Sequence, residues 1–97
     1  KIKQEIKIIL LYIMVRFKFT KGSGFKKYRV VISDKGKKIK TIQFGDRRYG
    51  QYKDKTPLKL YSKKDTLDAK RRKAYYSRHG KTATKWSPKW FAHKYLW

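Results

Sequence analysis

Two neighbouring arginines, Arg47 and Arg48, a continuous basic run Lys70-Arg71-Arg72-Lys73 and a further arginine at Arg78 are the residues best suited to chemistry with an anion. A guanidinium is planar and permanently charged, so it grips a phosphate through two parallel hydrogen bonds, while each lysine adds a mobile point charge. A second set of groups could act on a phosphodiester rather than only hold it. Asp46, Asp54, Asp65 and Asp68 recur in the same segment as His79, and carboxylates beside a histidine can bind Mg²⁺ and activate water. Each has a simpler use. Asp46 follows a glycine at a turn, Asp65 and Asp68 lie in the first turns of an expected helix, where the macrodipole favours negative charge, and His79 falls where that helix should end. His79 and His93 lack an acidic or thiol partner at ligand spacing, so no metal, no cofactor and no catalytic residue is expected.

The overall charge weighs in the same direction. The chain of 97 residues carries 29 lysines and arginines against 6 acidic residues, a formal charge of +23. Such a surface repels itself and attracts polyanions. The expected partners are nucleic acid, an anionic membrane face or an acidic protein surface, and not a small-molecule substrate. Basic disordered tails are poor in aromatics, whereas this chain has 8 tyrosines, 5 phenylalanines and 3 tryptophans, which argues for folded surface. Phe17, Phe19, Tyr28, Tyr49, Tyr52 and Trp86 lie among lysines and could stack on unpaired bases. For Phe17, Phe19, Tyr28 and Phe44, in strand alternation, a place in the core is the stronger expectation. No zinc finger, helix-turn-helix or aromatic-glycine RNA-binding signature is present, so reading of a specific base sequence is not expected. The absence of cysteine excludes disulfides and thiol chemistry and fits a reducing compartment.

The elements that must position these groups follow from periodicity. Val15, Phe17 and Phe19 alternate with Arg16, Lys18 and Thr20; Tyr28, Val30 and Ile32 share a second strand face; Ile42 and Phe44 share a third. Glycine-rich breaks at 22–24 and the turn signal Ser33-Asp34-Lys35-Gly36 separate them, so residues 14 to 44 should form an antiparallel meander. From Gly45 through Pro57 turn formers, charges and tyrosines occur without a period, as in an ordered irregular loop. A helix is expected over 65–79, with Ser62 or Thr66 as competing caps, Leu67, Ala74 and Tyr75 inward, and Gly80 as its stop. Trp86, Trp90, Phe91, Tyr95 and Trp97 make the end of the chain too apolar to dangle in water, and should anchor it on its own sheet or on a neighbour. The apolar run Ile6 to Val15 holds Lys7 and is far short of the roughly 20 residues that span a bilayer. It also lacks the small residues of a secretory cleavage site. Met14 is the first methionine, and residues 1–13 are expected to be a processed remnant or an arm outside the compact unit.

The ordered series Phe44-Gly45-Asp46, Tyr49, Tyr52, Lys53-Asp54-Lys55, Asp65, Asp68-Ala69-Lys70-Arg71-Arg72, Tyr75-Tyr76-Ser77-Arg78-His79-Gly80, Ser87-Pro88-Lys89-Trp90-Phe91 and Tyr95-Leu96-Trp97 resembles an uncharacterised family of small basic proteins encoded by large DNA viruses of algae and protists. The similarity covers about residues 26 to 97; the first 13 fall outside it. The resemblance implies a viral protein and a virion component, and brings no catalytic residues with it.

Together these readings describe an α+β chain: an N-terminal apolar and basic arm at 1–13, a small domain at 14–80 built from a β-meander and one basic helix, and an aromatic C-terminal arm at 81–97. The leading expectation is a non-enzymatic, minor capsid-type component on the inner side of a large DNA virus shell, made in host cytoplasm or nucleus. Its arms would bridge capsid or other virion proteins, while Arg47, Arg48, Lys70, Arg71, Arg72, Lys73 and Arg78 meet acidic protein, membrane or viral DNA. A nonspecific DNA-condensing protein is the alternative, and a Mg²⁺-dependent nuclease a remote one.

Overall fold

The computed structural model describes residues 15–97; the N-terminal arm expected at 1–13 lies outside the described residues. The strict alternation of apolar and cationic residues produces three strands, β1 (Val15–Lys21), β2 (Lys26–Asp34) and β3 (Lys37–Asp46), in one antiparallel sheet of order β1-β2-β3. The β2–β3 connection is a two-residue turn in which Lys35 (φ 53°) and Gly36 (φ 78°) are both left-handed. That geometry matches the twist of a tight hairpin. A bulge follows, where Ile32 faces Lys40 but Ser33 already faces Lys38, so Ile39 is extra and points to solvent.

Period-two packing places Tyr28, Val30 and Ile32 of β2 on the core face with Phe44 of β3, and Phe17 and Phe19 of β1 at its margin. The opposite face carries Arg16, Lys18 and Thr20, paired with Ser33, Val31 and Arg29. An antiparallel sheet with one covered and one polar face is the arrangement that this alternation encodes.

The cover is supplied by the C-terminal segment. Expected as an arm at 81–97, it instead contains a second helix, α2 (Pro88–Tyr95), which packs on the sheet. (The first, α1, is Ala69–His79.) Ser87 caps α2 by accepting from the Trp90 N–H at 3.2 Å, and Pro88 occupies the first turn, where its missing donor costs nothing. Phe91 is 0% exposed, with ring centroids of Phe17 at 5.2 Å and Phe44 at 5.7 Å. Leu96 is buried beside it. Trp86 and Trp90 stand edge-on to Phe17, each at 6.0 Å, and Tyr95 meets Phe19 at 4.9 Å. The five aromatic anchors thus find partners within their own chain, because a three-stranded sheet leaves an apolar face that needs a cover and this segment carries the rings to supply it.

Helix α1 starts later than its local signals suggest. Asp68 is the N-cap, accepting from Lys70 N–H at 2.9 Å and Arg71 N–H at 3.3 Å, and Gly80 closes the helix. Ser62-Lys63-Lys64 forms a 3₁₀ turn instead of a capping box. The reason is tertiary: residues 64–67 pair with 51–52 through Gln51 N–H to Lys64 O, Thr66 N–H to Gln51 O and Leu67 N–H to Tyr52 O. Backbone groups so engaged cannot serve a helical turn. In consequence Leu67 is 62% exposed at φ 50° and Ala74 is exposed, so of the three residues expected inward only Tyr75 is buried.

Among the described residues no helix is long and apolar enough to cross a membrane. If α2 belongs to the core as described, Phe91→Ala lowers unfolding free energy in urea by about 3–5 kcal/mol. Leu67→Ala at the exposed bend should stay within about 0.5 kcal/mol of wild type. Equal, small losses in both variants are incompatible with this packing.

Candidate functional site

The irregular segment between β3 and α1 is held by two carboxylates that the sequence offers as metal ligands. Asp54, buried, accepts from the Tyr28 hydroxyl at 2.5 Å, the Tyr61 N–H at 3.1 Å, and the Thr56 N–H and hydroxyl at 3.0 and 2.6 Å. Asp65 accepts from the Gln51 side-chain amide and the Asp54 N–H, both at 2.7 Å. Both oxygens of Asp54 and one oxygen of Asp65 are thereby taken up by donors of the loop and of Tyr28. Asp46 receives the Arg48 guanidinium at 3.0 and 2.7 Å, which draws its carboxyl down to about 2. Asp68 caps α1, and the His79 ring lies 4.6 Å from that of Tyr75. Among the described residues no three His, Asp or Glu side chains converge on a metal position.

With 6 acids for 29 lysines and arginines, most cations lack a counter-charge, and the carboxylates committed to the loop leave the surface fewer still. Among the described residues two ion pairs form, Arg48 with Asp46 at 2.7 Å and the exposed, looser Arg71 with Asp68 at 3.8 Å. Surface pairs of the second kind contribute little.

The fold distributes the seven candidate polyanion-binding residues over three places. Arg47 and Arg48 sit on the turn after β3, near the exposed ring of Phe25, with the Arg48 guanidinium 4.1 Å from its centroid. Arg72 and Lys73 line an open hollow on α1 with Tyr76 and Lys81, and Lys70 is exposed on the same helix. Arg71 and Arg78 face a groove between α1 and the 45–50 turn. Arg72 is partly engaged: its Nε donates to the Trp97 carbonyl at 2.9 Å and its guanidinium lies 4.8 Å over Tyr52.

The groove also collects residues that sequence spacing did not single out. Lys26 from the start of β2 and Lys89 from the start of α2 join Arg78 and His79 around about 370 Å³ of open space. Tyr49 and Trp97 form aromatic walls. Three distant segments contribute, and no local pattern announces their meeting. The groove exists because α1 is fastened beside α2: Tyr75 stacks on Trp97 at 4.6 Å and 8°, and its hydroxyl shares a 2.8 Å hydrogen bond with Nδ1 of His93. On the other side, Gly45 (φ 77°) allows the turn to approach; a Cβ there would lie 2.9 Å from Leu96 and 3.1 Å from Lys27.

Lys27, opposite Gly45, is the one buried cation among the described residues, donating to Oε1 of Gln51. Burial, reinforced by the neighbouring charge of Lys64, lowers its ammonium to about 8, against the pull of Asp54, Asp46 and Asp65. Tyr28 moves the other way, to about 12, through burial and its bond to Asp54.

No family model matches the chain, and no curated protein or solved structure is significantly similar to it.

The shifted lysine has a pH signature. Above about pH 8 the folded chain has released the Lys27 proton while the unfolded chain keeps it up to 10.5. Folding stability attributable to this site therefore rises with pH in that window. Tyr28 opposes it only above its unfolded value of 10.0. Chemical denaturation between pH 8 and 10 should show this rise in wild type and not in Lys27→Met. The same rise in both proteins would assign it to surface lysines.

Proposed function

We propose that this chain is a non-enzymatic nucleic-acid-binding protein of a large DNA virus particle, neutralising the phosphate backbone without reading base sequence. The observation that carries the reading is that, among the described residues, only two ion pairs form, Arg48 with Asp46 and the loose Arg71 with Asp68. Asp54 and Asp65 hold a loop, so Arg78 and the lysines of α1 and the groove face no carboxylate partner and stay available to an external anion. Phosphate-rich partners gain from such a surface through counterion release. The viral assignment draws on the ordered series from Phe44 to Trp97 described above.

Relative to the shell-bridging expectation, the emphasis moves toward nucleic acid for one reason. Bridging relied on aromatic arms at both ends, and Phe91, Trp90 and Trp97 are employed inside their own chain. A second reading keeps the chain as a minor capsid-type component on the inner side of the shell, touching capsid protein or an internal membrane. The exposed side chains of Leu58, Leu60 and Leu67 favour it. No catalysis enters either reading.

The test is titration of the full chain with duplex DNA of unrelated sequences at several salt concentrations. Engaging roughly 6 to 10 phosphates should weaken binding by about three to five decades between about 50 and about 200 mM salt. Affinity should be alike for each sequence, and DNA should remain intact with Mg²⁺. Salt-independent or undetectable binding rejects the reading. Cleavage abolished by Asp46→Ala or His79→Ala would make the chain a nuclease, and retention on purified shells after high-salt washing would favour the capsid alternative.

A further inference from the structure

We infer that the groove between the 45–50 turn and α1 seats an unpaired stretch of nucleic acid, a base lying against Tyr49 and its flanking phosphates reaching Arg78, Lys26 and Lys89. This deepens the nucleic-acid reading and rests on it: it names a site and selects single strand over duplex.

The groove's size is the first argument. Its main part, about 370 Å³, continues into a smaller one of about 250 Å³, both walled by Tyr49, Gly50, Arg78 and Trp97. Clefts from roughly 300 Å³ upward hold small organic ligands, which is the scale of a nucleotide unit. A duplex cannot enter, and its bases present no free face to a ring.

The second argument is the build of the lip. Tyr49 is 65% exposed, yet it is not on a loose loop: its N–H donates to the Asp46 carbonyl at 3.1 Å, and the Arg47 N–H donates to Phe25 at 2.8 Å. The Arg48 guanidinium lies 4.1 Å from the Phe25 centroid and 5.7 Å from that of Tyr49. Three flat groups, Phe25 from the β1–β2 turn and Arg48 and Tyr49 from the turn after β3, are thus brought together beside a cationic cleft, the two rings exposed. Leaving such rings in water is unfavourable, and stacking with a base removes that cost. An acidic peptide would need the cations alone and would leave Tyr49 idle.

Charge is the third. Asp46 is the one carboxylate lining the groove, and both its oxygens are held by Arg48, outside the lining. Lys89 is steadied at the groove's end by donating to the His79 carbonyl at 3.1 Å. Arg78 makes no ion pair with an acid among the described residues. The cleft therefore lines an aromatic surface with positive charge from Lys26, Arg78 and Lys89, the combination that a base and its flanking phosphates require.

Fluorescence anisotropy of the full chain with a labelled short oligothymidine, at fixed salt, tests the site against an abasic strand of equal length, a duplex and polyglutamate. Tyr49→Ala should weaken oligothymidine binding about tenfold and leave the abasic strand unchanged; Arg78→Gln should weaken both. Lys37→Gln, at the opposite end of β3, removes the same charge and should match neither loss. Near-ultraviolet circular dichroism checks that each variant keeps its fold. If wild type binds all nucleic acids but Tyr49→Ala binds oligothymidine unaltered, the groove assignment is wrong and the broader reading stands. If wild type binds none of them, both fail. Polyglutamate competing as well as oligothymidine, with the same dependence on Tyr49, overturns base stacking in favour of an acidic protein partner.

Discussion

The insertion of Phe91 between Phe17 and Phe44 is the contact on which the other features hang. Three strands bury only one face, and that face needs a cover before the meander is stable. Once Phe91 and Leu96 supply it, α2 has a fixed place, and the last residue, Trp97, is delivered to where Tyr75 can stack on it. Helix α1 has a single buried side chain and would have little hold without that stack and the Tyr75–His93 hydrogen bond. The groove is the space left between a helix fastened in this manner and the turn after β3.

A second constraint is the scarcity of acids. In a chain this cationic, every carboxylate could be expected to neutralise a neighbour. Asp46 and Asp68 do so, with Arg48 and Arg71, but the fold uses Asp54 and Asp65 differently. Asp54 and Asp65 accept hydrogen bonds from the segment 51–65, which outside the short 3₁₀ turn at Ser62–Lys64 has no helix or strand to satisfy its backbone. An irregular loop that packs against a sheet needs such internal acceptors, since buried donors without partners cost more than most contacts return. The excess of positive charge is set by composition, 29 lysines and arginines against 6 acids; the loop decides only where two of those acids sit, turned toward amides and hydroxyls instead of toward surface cations.

The same loop explains the buried lysine. Lys27 lies next to Tyr28 at the start of β2, yet both are enclosed, because Gly45 leaves space on one side and Gln51 provides an acceptor on the other. An ammonium is among the least welcome groups in such a place, and its lowered affinity for the proton measures that. The position lies at the floor of the groove, so the polarity of the loop and the charge of the cleft are set by one local arrangement.

Much of the sheet was legible from the residues. Alternation in Val15 to Thr20, Tyr28 to Ile32 and Ile42 to Phe44, with a glycine or Asp-Lys-Gly break between runs, is local information, because the strand period and turn conformation depend on neighbouring residues alone. The end of α1 at Gly80 and the cationic character of its surface belong to the same class, as does the α+β class itself. Its start did not, because the capping signals at Ser62 and Thr66 lost to pairing of 64–67 with 51–52, a contact between segments. Of the site, the sequence marked Arg71, Arg78 and Tyr49 by residue type but passed over Lys26 and Lys89, which sit among ordinary surface lysines. What the sequence determined by itself was composition, periodicity and an unbalanced charge; what only the tertiary structure decided was which aromatics turn inward and which cations share a cleft, since both depend on distant segments competing for one apolar face.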